Sequence, residues 1–403
     1  MDFPTLYQQI DALLEEERLD DAQILIDEQL ALSKYSVLTT PEQDQLSLWE
    51  EKWQLQILVC KYLIIQFKPN EVIILTDKIL EESRILDQFT AKIQVLTIVA
   101  KANALFLLGQ YKETQQLIQV VESRTDNLDN ISQEELNNLR VSVERMNGYI
   151  NHVFGQNELA LTNIKNSLEL CRKETWSMRG TQILEGLVYI DTGQYSEGFG
   201  KLKQINEYCK NNELVYSYGW SLFNLALYAF QVGHLVSAKE YGLNLLKFSK
   251  EVRSKLLEAW AQTALGGVAL AVGEFSDAET LLISSYKNFK SIGNLWFQFP
   301  ARRLGALYRI LGDFDKAIFY LTESLEVVKN NGFEFVIGFQ LNLIGEVYYA
   351  QNQIQEARTY FEQALEYINR IGTKFLSAKV TFNLFLILIE TGEISNAEQQ
   401  LFR

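Results

Sequence analysis

Gly273-Glu-Phe-Ser-Asp-Ala278 and Gly312-Asp-Phe-Asp-Lys-Ala317 are two copies of one phrase. A turn residue opens it; a polar residue, an aromatic or aliphatic one, two variable ones and a small one follow. Gly233 to Ala238 and Gly392 to Ala397 match it as well. Gly155 to Ala160 and Asn352 to Ala357 fit less fully, while Gly193 to Gly198 and Gly109 to Thr114 replace the final Ala. Weaker copies end at Ala22 and Val72. The final small residues fall at 160, 198, 238, 278, 317, 357 and 397, a spacing near 40 that is irregular only towards the N-terminus. A Gly at the head of such a phrase suits the left-handed end of a helix, so each copy reads as a tight turn between two helices.

A second small residue stands 12 positions before the first, as Ala102, Gly148, Gly186, Ala226, Gly266, Gly305 and Gly345, with Cys60 in a weak unit. Gly costs about 1 kcal/mol in a helix interior. Its recurrence there implies two antiparallel helices that touch backbone to backbone. The helix after each turn carries an apolar stripe, for example Ala357, Tyr360, Phe361, Ala364, Leu365 and Ile368, the pattern of a helix packed on one face.

These positions resemble the tetratricopeptide repeat family, in a long-period form of about 40 residues rather than 34. The resemblance rests on the small residue of the first helix, the turn Gly and the Ala opening the second helix, and it covers nearly the whole chain. It implies an all-α fold, a right-handed α-solenoid of about ten antiparallel helix hairpins. Their expected spans are 1–39, 40–83, 84–131, 132–174, 175–212, 213–252, 253–293, 294–332, 333–372 and 373–403. Thr40-Pro-Glu-Gln43 and Ser132-Gln-Glu-Glu135 read as capping boxes that start new helices. The second suggests a seam between an acidic, irregular section over 1–131 and a regular array over 132–403. The last hairpin is cut short after Ser395, which leaves an edge that a continuing chain or a second copy, in a homo-oligomer, would complete.

Charge narrows the partners. The chain of 403 residues has 51 acids, 37 bases and a net charge of −14. Residues 1–174 hold 28 acids against 16 bases, and 175–403 hold 23 against 21. A nucleic-acid surface needs clustered cations to displace counterions, so nucleic acid is not an expected partner. No apolar run reaches the roughly 20 residues of a membrane span, and no secretory signal opens the sequence. The 3 Cys, Cys60, Cys171 and Cys209, do not form a disulfide framework. A cytoplasmic protein without disulfides or membrane insertion is the expectation.

No catalytic or metal constellation is found, and no cofactor is implied. His152 and His234 are far apart and read as structural and solvated residues. No zinc spacing or phosphate-cradling loop occurs. What rises above background is a second stripe on the first helices, 18, 15, 11 and 8 residues before the small residue. At 100° per residue it lies about 130° from the packing stripe. It contains Trp220, Phe223 and Phe230, then Trp260, then Phe299, Arg302 and Arg309, then Phe339, Asn342, Glu346 and Tyr349. In the family these positions line the concave groove, so the resemblance implies a partner-binding groove here. The alternative is that the aromatics pack between neighbouring first helices. The family's Lys, Asn and Arg carboxylate clamp is not reproduced, and Arg302, Arg303 and Arg309 are the nearest approach to an anion site. The functional expectation is a non-enzymatic scaffold that binds a protein or peptide. The alternative is a sensor module that controls an effector outside this segment.

Overall fold

The phrase folds as a tight turn between two helices. Gly273 takes φ +82°, the Glu274 amide donates to the Ala269 carbonyl at 2.9 Å, and the Ala278 amide then donates to the Glu274 carbonyl at 2.9 Å to open the next helix. This is the left-handed, Schellman-type helix end that a Gly permits. The structure, a computed structural model, describes residues 3–36, 45–66, 68–86, 91–125, 128, 131–171, 175–330, 334–371 and 374–393.

All regular structure among the described residues is helical. The first hairpins pair α1 (Phe3–Glu15) with α2 (Leu19–Ser36), α3 (Gln45–Ile65) with α4 (Pro69–Leu86), and α5 (Ala91–Leu107) with α6 (Tyr111–Thr125). Next come α7 (Gln133–Val153) with α8 (Asn157–Leu170), α9 (Trp176–Asp191) with α10 (Tyr195–Asn211), and α11 (Val215–Gln231) with α12 (Leu235–Glu251). The series continues with α13 (Lys255–Ala271) and α14 (Phe275–Ser291), α15 (Gln298–Leu311) and α16 (Phe314–Asn330), α17 (Glu334–Ala350) and α18 (Ile354–Ile371), and ends in α19 (Lys374–Glu390). A short 3₁₀ turn, Leu295–Phe297, leads into α15. The second helix of the last hairpin, expected from Ser395, lies outside the described residues, as does the Thr40 capping box.

The chain divides into two compact units. Met1–His152 and Gln156–Leu257 form one; Glu258–Arg403, with Val153–Gly155, form the other.

Within hairpins the small residues sit at close crossings. A Cβ on Gly345 would stand 2.6 Å from the Phe361 ring, one on Gly266 2.7 Å from Leu282, and one on Gly186 3.0 Å from Leu202. Gly305 lies against Leu321 in the same way. The apolar stripes meet there: Leu341, Ile344, Phe361, Ala364 and Ile368 are all buried. Burying each larger side chain contributes about 1.5–3 kcal/mol, and a single hairpin leaves half of its stripe open until the next one covers it.

Local signals place two more features. Ser132 and Glu135 form the expected capping box: the Ser132 amide donates to Glu135 Oε2 at 2.9 Å and the Glu135 amide to Ser132 Oγ at 3.2 Å. Cys60, Cys171 and Cys209 are all free thiols. Burial pushes the Cys60 thiol up to about 12, away from reactivity.

Candidate functional site

The second stripe behaves differently in the two units. In the first, Trp220 and Phe223 are buried. The Trp220 indole N–H donates to the Tyr149 hydroxyl at 2.7 Å, and the Phe223 ring packs 5.7 Å from that of Trp220. Phe230 is half-buried. Through its hydrogen bond Trp220 ties α11 to α7 within the first unit.

In the second unit the stripe opens as it proceeds. Trp260, on α13, is buried, whereas Phe299 on α15 and Phe339 on α17 are half-buried. The rings form a ladder: Trp260 to Trp296 at 5.2 Å and Trp296 to Phe299 at 5.7 Å. Arg302 continues it, its guanidinium 5.6 Å from the Phe299 ring and 4.7 Å from the Phe339 ring. Lys379 on α19 stands 5.9 Å from the other rim of Phe339.

The polar members converge beside these rings. Glu346 accepts from Asn342 Nδ2 at 2.8 Å, pairs with Lys379 Nζ at 2.9 Å, and faces Arg309 Nη2 at 3.5 Å. Asn383 donates to Asn342 Oδ1 at 2.9 Å. The Tyr349 hydroxyl donates to Glu390. Arg309, Glu346, Tyr349 and Asn383 line a cavity of about 210 Å³ together with Ala350, Phe361 and Leu386.

The two adjacent arginines differ from Arg309. Glu346 faces Arg309, but among the described residues no carboxylate pairs with Arg302. Burial alone pushes its guanidinium down to about 10. Arg303 is buried beside it and pushed down to about 9, by burial first and by the Arg302 charge second. Room for Arg303 comes from Gly267 on α13, where a Cβ would stand 2.8 Å from Arg303 Nε. An arginine remains charged at neutral pH, and the downward direction reflects burial of that charge.

Arg302, Arg309, Phe339, Asn342, Glu346 and Tyr349 thus come together on α15 and α17, and Phe299 and Trp260 support them through Trp296. Sequence reasoning missed Lys379, Asn383 and Trp296. Lys379 was within reach, because it lies 18 residues before Ala397, the position that Phe299 and Phe339 occupy in their own units. His152, by contrast, is tied into the first unit, with Nε2 3.1 Å from the Tyr228 hydroxyl and 3.4 Å from Asp191 Oδ2.

Residues 339–370 and 303–331 each match a sequence family described as tetratricopeptide repeat. No curated protein sequence matches the chain. Among solved structures, NprR in complex with its cognate peptide NprX is similar over 92% of this chain and 100% of its own, with a TM-score of 0.61 at 14% identity. The Rap conjugation gene regulator of the plasmid pLS20 in complex with the Phr* peptide is similar over 92% and 96%, with a TM-score of 0.55 at 11% identity. Aspartyl phosphate phosphatase F from Bacillus subtilis is similar over 93% and 95%, with a TM-score of 0.51 at 12% identity. The chain therefore carries tetratricopeptide repeats in an all-helical hairpin fold like that of the NprR and Rap structures.

Proposed function

We propose that the chain is a non-enzymatic, cytoplasmic binding protein that holds a peptide or helix of a partner protein on the α15–α17–α19 face. The observation that carries this reading is Arg302, a half-buried cation clasped between two half-open phenyl rings, with no acid beside it among the described residues. Burying a charge without a partner is unfavourable, and the two cation–π contacts offset only about 0.5–2 kcal/mol each. An acidic group on the incoming partner would complete the site. Arg309 and Lys379 pair with Glu346, and Arg302 adds a cation without a carboxylate among the described residues, so the face favours an anion. Phe299 and Phe339 supply the aromatic area on which binding hot spots are built.

The likeness to NprR and to the pLS20 Rap protein, each solved with a peptide, supports a peptide ligand over a folded one. The description of the latter as a gene regulator favours a second reading, a sensor module whose bound peptide controls an effector. The likeness to the phosphatase is one of fold.

Two amphipathic peptides identical but for one Glu replaced by Gln test the reading by fluorescence anisotropy. The native chain should bind the Glu peptide about tenfold more tightly, the worth of one good charged contact. Arg302→Gln should erase that preference and leave the helical circular dichroism intact. Equal affinity of the native chain for both peptides would remove the acid from the proposal.

A further inference from the structure

The first turn differs from the turns headed by Gly or Asn. Gly109, Gly155, Gly193, Gly233, Gly273, Gly312 and Gly392 head their phrases with positive φ, and Asn352 does so in one. In the first hairpin that position is Glu17, at φ 54°. A left-handed backbone disfavours any residue with a Cβ; Glu213 and Arg253 also adopt it, at hairpin ends, but Glu17 does so at the position where most other phrases place Gly.

Its carboxylate supplies a reason. Glu17 is buried, and both of its oxygens are taken up by helices more than 160 residues away. Oε1 accepts from Arg179 Nη2 at 3.0 Å and from Ser217 Oγ at 2.7 Å. Oε2 accepts from the Tyr216 backbone amide at 2.6 Å. Arg179 Nη2 also donates to the Glu15 carbonyl at 3.1 Å, and Arg179 Nε to Ser217 Oγ at 3.0 Å. The Trp176 amide donates to Glu15 Oε2 at 3.1 Å.

These donors belong to the first turns of α9 and α11, where unpaired amides favour an anion. The N-cap of α11 is Leu214, which makes no side-chain cap hydrogen bond, because a leucine has nothing to offer. Glu17 caps that helix from the far end of the sequence. Thus a buried arginine, a serine hydroxyl and an uncapped helix start form a built receptor for a carboxylate, and the chain itself fills it.

We propose that Arg179, Ser217 and the Tyr216 amide form a carboxylate-binding site, that Glu17 is its internal occupant, and that a carboxylate of an incoming peptide displaces Glu17 and releases the first hairpin from α9 and α11. Two observations make the occupant displaceable. Its backbone is strained, a feature that gathers at clamps and switches. Burial also pushes the Glu17 carboxyl above the usual carboxylate range in spite of Arg179, so its own site compensates it incompletely. A flexible peptide would bring the same group without the left-handed backbone. Beneath the contact lies a cavity of about 160 Å³, with Tyr7 and Asp11 of α1 on one wall and Lys61, Asn103 and Trp176 on others. Release of α1 would open that cavity to the peptide's neighbouring side chain.

Hydrogen exchange on the full chain tests the release, and titration with two peptides tests the site. One peptide is an acetylated, amidated Gly-Glu-Glu-Gly; the other is an acetylated triglycine with a free carboxyl terminus. In Glu17→Ala, exchange in α1 should rise about tenfold or more with α15 to α18 unchanged, as for local opening. One of the two peptides should bind this variant about tenfold or more tighter than the native chain, since no internal competitor remains. Whichever binds identifies the carboxylate as a side chain or a chain end, and Arg179→Gln in the same background should abolish it. Glu16→Gln, at the exposed neighbour paired with Arg18, should do none of this. The proposal is overturned if α1 exchange is unchanged, if all of the first unit exchanges faster, or if neither peptide distinguishes the variant from the native chain. Should Glu17→Ala not fold, Glu17→Gln is read by the same criteria.

Discussion

Arg145 and Arg302 stand at one repeat position, 15 residues before the small residues Ala160 and Ala317, and burial pushes both guanidinium groups down, yet their surroundings differ. In the first unit Arg145 is 2% exposed. It lies 4.8 Å from the Trp176 ring and 6.0 Å from the Phe106 ring, and its Nη2 donates to Asn103 Oδ1 at 2.6 Å. In the second unit Arg302 has its two rings but no acceptor, and it stays half open. The repeat decides where a side chain is delivered; the neighbouring hairpins decide what it meets there. Even Arg145 keeps its Nε buried without a hydrogen-bond partner, so the contrast lies in the Asn103 acceptor and in exposure. Both stripe tryptophans, Trp220 and Trp260, are buried, and only the Phe299–Phe339 pair is left half-open in the second unit.

The comparison breaks most directly at the arginines themselves. Arg145→Leu should cost about 3 kcal/mol, because it strands the Asn103 oxygen in the interior and removes a stacked stem. Arg302→Leu should cost nothing, or stabilise by up to about 1 kcal/mol, since it removes a poorly compensated cation. Denaturant titrations of the two variants read the difference, and equal losses would mean that both arginines are structural.

A smaller effect tests what the units share. Gly186 and Gly305 occupy equivalent crossings, so replacing either with Leu should overpack its hairpin by about 1–3 kcal/mol. Gly200, whose Cβ would meet nothing within 4 Å, should accept Ala with a gain of up to about 1 kcal/mol. Unchanged melting temperatures for both crossing variants would remove the packing rule from one or both units.

The smallest effect is one of pH. With its folded carboxyl raised above the ordinary value, Glu17 binds its proton earlier in the folded chain than in the unfolded one. Its contribution is then fully present below the unfolded value and is lost as pH rises through the folded value. Measured against Glu17→Gln, which does not titrate, the native chain should gain stability as pH falls through that window. A gap that widens in the other direction would mean that the Arg179 pairing outweighs the burial.

Much of this was legible in the sequence, for a physical reason: turns, caps and crossings are local. Gly273, Ser132 with Glu135, and Gly345 against Phe361 are settled by residues within a hairpin or less. The register of the second stripe likewise brought Arg309 and Glu346 to one face, and extended to Ala397 it would have found Lys379. Exposure was not legible. Nothing in the identities of Trp260 and Phe339 tells that one is sealed and the other open, because that depends on what the adjoining hairpins present. The Glu17–Arg179 pair was also hidden, since it follows no period and its partners are 162 residues apart.

That separation has a consequence in time. A chain assembled from hairpins can fold each one as it emerges from the ribosome, with contacts that are mostly short in sequence. The first turn cannot be finished in that way. At roughly 5–20 residues per second of synthesis, about ten to thirty seconds pass between the making of Glu17 and the appearance of Arg179. For that interval the left-handed glutamate has no receptor, and the oldest hairpin of the chain waits for α9 and α11 to be made before its turn is complete.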